Sequence, residues 1–467
     1  MFRSIANTLA NCFKIPELKS RILFTIGLLA VCRLTAFIVI PGIDGQALAE
    51  FFSKSAQNGS GGLLVMYNTF AGGALGNCAV SSLGIMPYIS ATIIIQLLTA
   101  VWPRLSKLAR EEGGRTKIVQ YGRYLTVLLC IGQGIYFAHN WLTPEVAFRG
   151  FQGNLVMTQN ILAYYFVTVT VMTAGTMLLM WIGEQITERG VGNGVSLVIT
   201  IGILARLPNA WQGAVDMFST RGGIEASHHF MGTGIVLLIL MVFVIGGVIA
   251  ITQAQRKIPV QYAQRAVGRK VYAGGTSFMP LRVNYAGVMP IIFAQSILMF
   301  PKPLFTNLAN WITTPSLNFV QRFCNWMAIQ LDYGSIMYLT IYAMMILFFS
   351  YFWVATQFNE IQIADDLKKN GGYIPGVRPG QGTSDYLHHA MSRITLAGAI
   401  FLTVIATIPI ILSRKMNVDP NVASFFGGTS ILIAVGVLLD TMRQVESHLM
   451  MRHYDGFLKK GRIRGRF

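Results

Sequence analysis

A chain of 467 residues that is 53% hydrophobic and only 12% charged, with a mean hydropathy of +0.53, is far from the composition of soluble domains, where about 25% of residues are charged. Those figures exclude an ordinary water-soluble enzyme and imply an integral membrane protein. The formal charge of +18 would suit nucleic acid, but the basic residues are distributed by topology and form no single stripe, so no direct nucleic-acid readout is expected.

Apolar runs of bilayer-spanning length, about 20 residues each, fall at 22–41, 79–101, 119–139, 161–182, 194–210, 233–253, 284–301, 336–356, 394–412 and 429–447. Ten spans fit, and the fold class expected is an all-α integral membrane protein. Most of the 37 Lys and Arg lie on connections that share a side with both tails. That is the positive-inside pattern, and it predicts two cytoplasmic termini.

Residues 1–21 carry Arg3, Lys14, Lys19 and Arg21 among apolar residues and predict an amphipathic helix at the cytoplasmic interface. A cleaved signal peptide is the competing reading, disfavoured because the following run is long, contains Arg33 and lacks a small-residue cleavage site. Arg33 is the one charge deep within a span; intramembrane charges face the protein interior and a partner. Two readings stay open for it, an anchor to backbone carbonyls and a functional role.

The outer stretch 42–62 is followed by LLVMYNTFAGGAL at 63–75, too short to span. It predicts a re-entrant segment occupying a pore, with a surface loop as the alternative, because non-helical chain at membrane depth must be surrounded by protein or water. Next comes GIMPYISATIIIQLL at 84–98, an apolar helix broken near its start by glycine and proline. A basic loop, 103–117, turns at Gly113-Gly114. GEQITERGVGNGVSLVI at 183–199 makes a tight glycine turn, and no GxxxxGK[ST] is present to suggest a nucleotide site.

An outer connection at 211–232 leads to the sixth span and the cytoplasmic loop 254–283. This loop holds Arg256, Lys257, Arg265, Arg269, Lys270 and Arg282 and no acid. Its pattern suits an extended hairpin, and its length, beyond what neighbouring spans need, predicts a docking surface for a large anionic partner, with a topological anchor as the plainer alternative. GVMPIIFAQSI at 287–297 then repeats 84–94 at Gly84/Gly287, Met86/Met289, Pro87/Pro290, Ile89/Ile292, Ala91/Ala294 and Ile94/Ile297. Matching Gly/Pro-interrupted apolar segments in two halves of a membrane chain point to its working site. The outer stretch 302–335 includes amphipathic LNFVQRFCNWMAIQL, a second cytoplasmic loop spans 357–393 with Arg378 in the turn GVRPG, and a basic tail covers 448–467.

Five spans on each side of the repeat define two halves, 22–210 and 233–447. Five is odd, so the second half is inverted relative to the first. The five cysteines are scattered and predict buried thiols, neither disulfides nor a metal site. No Asp or Glu lies at mid-depth in a span, Asp440 being the nearest, and the seven histidines lie in loops, at span ends or in the tail. No catalytic pair, proton relay, metal site or cofactor site is visible, so the reading is a non-enzyme. Ile85 with Ile89, and Val195 with Ile199, are spaced to share helix faces; with Ile292, the mate of Ile89, they suit an apolar constriction that stops ions by dewetting. An inverted-repeat secondary transporter of small solutes is the alternative function, and a membrane-embedded hydrolase a distant third.

The chain resembles the SecY family, central subunits of the bacterial protein-translocation channel. The resemblance is carried by GIMPYISATIIIQLL (84–98), GGRTKIVQYGRYLTV (113–127), GVGNGVSLVI (190–199), QAQRKIPVQYAQR (253–265), PLRVNYAGVMPIIFAQSI (280–297), GGYIPGVRPGQGTSDYL (371–387) and GGTSILIAVGV (427–437). It implies a ten-helix clamshell with a plug at 63–75, opening across the bilayer for secretory chains and sideways for membrane segments. It further implies a pore ring of Ile85, Ile89, Val195, Ile199, Ile292 and Ile433, valine at 195 standing where isoleucine is common, and a lateral gate hinged at Gly84, Pro87, Gly287 and Pro290. Docking of a ribosome, with contact to ribosomal RNA left open, or of the SecA motor falls to Arg256, Lys257, Arg265, Arg269, Lys270 and Arg378. The implied partners are SecE, SecG, signal peptides and nascent polypeptides, in the bacterial cytoplasmic membrane. Stretches 42–62 and 302–335 carry no family motif.

Overall fold

The computed structural model describes residues 15–57, 67–111, 113–144, 153, 155–158, 160–208, 211–212, 230–262, 265–267, 270–272, 275–311, 318–415 and 429–460. They group into two compact units, one drawn from Met1–Phe230 and Ile433–Phe467, the other from Met231–Met416 and Phe426–Leu432.

In the first unit, α1 (Pro16–Thr35) is followed by α2 (Gly45–Gln57) and, after a helical turn at 67–70, by a run of turns that ends where α3 (Met86–Val101) begins. The span expected at 79–101 is therefore helical only from Met86. α3 stops at Trp102 because Pro103 disfavours helical backbone in the residue before it; Trp102 sits at φ −95, ψ 112, and Pro103 opens α4 (Pro103–Arg110). The two helices meet at 103°. α5 (Gly114–Leu142) and α6 (Ile161–Arg189) pack side by side, and Arg123 joins them through a bidentate pair with Glu184 at 3.2 and 2.7 Å. α7 (Gly194–Leu204) is capped by the Asn193 side chain. Its 11 residues reach about 16 Å at 1.5 Å per residue, roughly half of a 30 Å bilayer core.

The second unit contains α8 (Phe230–Gln253), the strands β1 (Gln255–Tyr262), β2 (Arg265–Val267), β3 (Lys270–Tyr272) and β4 (Thr276–Arg282), α9 (Met289–Leu298), α10 (Pro301–Trp311), α11 (Asn318–Gln330), α12 (Ile336–Gln357), α13 (Glu360–Lys369), β5 (Gly372–Tyr373) and α14 (Gln381–Lys415). α15 (Thr429–Lys460) starts there and runs into the first unit. The hairpin expected at 254–283 is present, with β1 and β4 antiparallel from Gln255↔Arg282 to Gln261↔Thr276. Within the stretch 302–335, α10 packs on α11, and Lys302 pairs with Asp332 at 2.6 Å.

Among the described residues, four helices are long and apolar enough to cross a membrane alone, starting at Gly114, Ile161, Ile336 and Gln381, or five with the bent pair α3–α4. Four of the five cysteines are described, all as buried thiols. Beneath the sheet of the second unit lies an apolar cluster that includes Ile258, Val260, Leu281, Val354, Phe358 and Leu387. Leu387→Ala should destabilise the purified protein by about 2–5 kcal/mol through the cavity it leaves. Phe278→Ala, on the exposed face of β4, should stay within about 0.5 kcal/mol. Thermal unfolding of both variants in one detergent checks the contrast.

Candidate functional site

The repeated Gly-x-Met-Pro sequence adopts one conformation twice. Proline lacks an N–H and fits the first turn of a helix, so each copy starts its helix at the methionine, α3 at Met86 and α9 at Met289. The glycine two residues earlier is left-handed in both, Gly84 at φ +59 and Gly287 at φ +60. The residue between matches as well: Ile85 lies at φ −94, ψ 1 and Val288 at φ −94, ψ −3. The Ile89 N–H donates to the Ile85 carbonyl at 3.2 Å, and the Ile292 N–H to that of Val288 at 3.3 Å. The six identical letters thus encode the same break. Ile85 is the cap residue of α3, and Ile89 follows it by one hydrogen-bonded turn.

In the first unit Ile85, Ile89, Ile199 and Ile433 are buried and Val195 half-buried; in the second, Ile292 and Pro290 are buried. Val195 and Ile199 lie one turn apart on α7, as their spacing predicts. A cavity of about 30 Å³ opens beside the first break, lined by Arg33, Gly72, Gly84, Ile85, Val198 and Ile201 among others. Val198 and Ile201 were not singled out by sequence. They belong to a helix that is apolar on every face, where no periodicity marks one side as special.

The residues assigned to docking sit on a built surface. Along β1, Ile258 and Val260 turn into the apolar cluster while Lys257 and Pro259 between them are exposed, as strand alternation requires; Arg256, at the start of the strand, is exposed as well. β5, from the loop at 357–393, extends the sheet by pairing Gln261↔Tyr373 and Tyr262↔Gly372. The turn that follows holds Arg378 exposed: its carbonyl accepts from the buried Thr383 hydroxyl at 3.0 Å, and Gly376 and Gly380 take positive φ on either side. Arg265 and Lys270 fall on the paired strands β2 and β3. Arg269 lies outside the described residues, as do residues 63–66 of the expected plug.

The SecY family model matches residues 79–442. The chain is 43% identical over 468 residues to the protein translocase subunit SecY of Chlamydia muridarum, covering 98% of this chain and 99% of that one. The chain belongs to the SecY family. The SecY subunit of Escherichia coli strain K12 is also 43% identical, over 458 residues and 96% of each chain. Among solved structures, a protein-conducting channel aligns with TM-score 0.57 at 18% identity, over 91% of both chains. A SecY protein whose plug domain stabilises the closed state aligns with TM-score 0.56 at 17% identity, and canine Sec61 in its ribosome-channel complex with 0.53 at 17%, each over 91% of both chains. At such identities these likenesses bear on the fold, and the fold is that of the SecY channels.

Because both glycines are left-handed, a side chain at either costs about 1–2 kcal/mol. Gly84→Ala and Gly287→Ala should each lower stability by that amount, measured by thermal unfolding. Ala71→Ser, next to the first break, should not.

Proposed function

We propose that this chain is the central subunit of a protein-conducting channel, translocating secretory polypeptides across the bacterial cytoplasmic membrane and releasing membrane segments sideways into it. The observation that carries the reading is the near full-length match to relatives named protein translocase subunit SecY. The identical backbone of the two Gly-x-Met-Pro breaks supports it, because paired broken helices are where membrane transport proteins build their conduits. A small-solute transporter is set aside, since those relatives are named protein translocase subunits.

In this proposal ten spans form two inverted halves, 22–210 and 233–447, with both termini cytoplasmic. Residues 63–75 are the plug. Ile85, Ile89, Val195, Ile199, Ile292 and Ile433 are the apolar ring, and Gly84, Pro87, Gly287 and Pro290 are the hinges of the lateral gate. An aliphatic constriction dewets and so blocks ions, yet yields to a polypeptide. SecE and SecG brace the subunit. Energy comes from SecA or a translating ribosome, docked on Arg256 and Lys257 of β1, on Arg265 and Lys270 of the separate β2-β3 hairpin, on Arg269 and on the Arg378 turn. The canine Sec61 structure is a ribosome-channel complex, which supports a ribosome at this face. Signal peptides and nascent chains are the substrates, and no cofactor is assigned.

Ile89→Asn or Ile292→Asn wets the ring and should raise ion leak in reconstituted bilayers about tenfold, the effect of roughly 1.4 kcal/mol on a closed–open equilibrium. Export of precursors with defective signal sequences should rise in parallel. An unchanged leak and unchanged selectivity would remove both residues from the ring. Arg378→Glu should reduce motor-driven export into vesicles at least about tenfold while the level of the inserted protein stays constant. Undiminished export would remove the docking assignment.

A further inference from the structure

Arg33 lies near the end of α1, in a segment too apolar to leave a guanidinium without a partner. Its partner is a backbone carbonyl: Nη1 donates to Gly72 O at 2.6 Å, and the guanidinium stands 5.1 Å from the centre of the Phe37 ring. The chain around Gly72 is shaped for this approach. Gly72 and Gly73 are left-handed, at φ +66 and +92, and a Cβ on Gly72 would lie 2.9 Å from Arg33 Nη1 and 3.0 Å from the Gly202 Cα. A Cβ on Gly73 would meet the guanidinium of Arg206 at 3.0 Å. Two cations therefore flank two glycines of one buried turn.

The rest of that turn is held in two different ways. Within it, Gly73 N–H donates to Asn68 O at 2.7 Å, Gly76 N–H to Asn68 Oδ1 at 2.9 Å, and the Tyr67 hydroxyl to Leu83 O at 3.0 Å, so residues 67–83 form one self-bonded knot. Its later part is tied to the chain after α1 by backbone: Ile40 N–H donates to Cys78 O at 2.9 Å and Val80 N–H to Ile38 O at 2.8 Å. Its earlier part meets α1 through the Arg33 side chain. A backbone ladder is fixed, whereas a side-chain hydrogen bond to a neutral carbonyl can break without separating opposite charges. Space for that motion exists, because the cavity beside Arg33 also borders Gly72 and Gly84 and is lined by Ser81, whose buried hydroxyl has no partner among the described residues.

We propose that Arg33 is a positioning residue that latches residues 67–73 in their resting place through the Gly72 carbonyl, the knot pivoting on its backbone ties at 78–80 when the latch is released. Arg206 walls the turn at Gly73 without bonding it. The consequence for transport rests on the reading of 63–75 as the plug: the latch then sets how readily a substrate opens the resting channel, and release couples to the Gly84 break through the shared cavity.

The test uses the full chain reconstituted with its co-purifying subunits, and reads both thiol labelling of Thr69→Cys from the aqueous phase and resting ion leak. Thr69 is buried within the knot, and native Cys130, buried on α5, is the internal control. Arg33→Gln should accelerate labelling at position 69 at least about tenfold, as expected for losing a charge-assisted bond, with labelling of Cys130 unchanged. Arg33→Lys, which keeps a charge and a donor, should fall between. Arg206→Gln should move the rate less than Arg33→Gln. Unchanged labelling in Arg33→Gln overturns the latch, as does faster labelling of Cys130 in step, which would mean general loosening. Faster labelling at 69 without any added leak upholds the latch and removes the plug reading instead.

Discussion

A broken helix in a hydrocarbon environment survives only if the freed backbone groups are satisfied by protein, and this requirement governs the architecture around both Gly-x-Met-Pro breaks. At the first break the chain before Met86 meets the requirement by bonding to itself and to the end of α1. At the second, the Asn284 side chain donates to the Gly287 carbonyl at 2.9 Å. The local solutions differ, but the backbone of the break is the same to within a few degrees. The repeated residues are thus explained by conformation: glycine for the left-handed residue, proline for the first helical turn, and apolar residues after it.

The three-stranded sheet of the second unit follows a different rule. Its basic residues can remain in water because Ile258 and Val260 anchor β1 in an apolar cluster. The loops 254–283 and 357–393 become one surface through the pairing of β1 with β5. In the proposed function, a motor or ribosome on Arg378 therefore bears on the same sheet as one contacting Arg256 and Lys257. Rigidity of that kind suits a surface that receives force, since a load on a loose loop is dissipated in the loop.

Much of this was legible in the sequence because it rests on local signals. The copy of GIMP at 287, the turn at Gly113, the hairpin at 254–283 and the carbonyl anchor for Arg33, one of two readings open for that residue, all follow from residue type and spacing. What escaped prediction depends on long-range or orientational facts. Two residues of β5 carry no strand pattern of their own, and they pair only because β1 is in place. The bend at Trp102 follows from Pro103, but hydropathy averages across it. The nearness of Arg206 to Gly73 joins residues more than a hundred positions apart. Periodicity cannot report any of these.

The most direct test of the channel assignment is translocation by the purified chain with SecE, SecG, SecA and ATP in sealed proteoliposomes, scored as protease-protected precursor. The account predicts protected full-length precursor that depends on this chain and on an intact signal sequence. Uptake of small solutes by the chain alone, with no protected precursor under any partner combination, would contradict it.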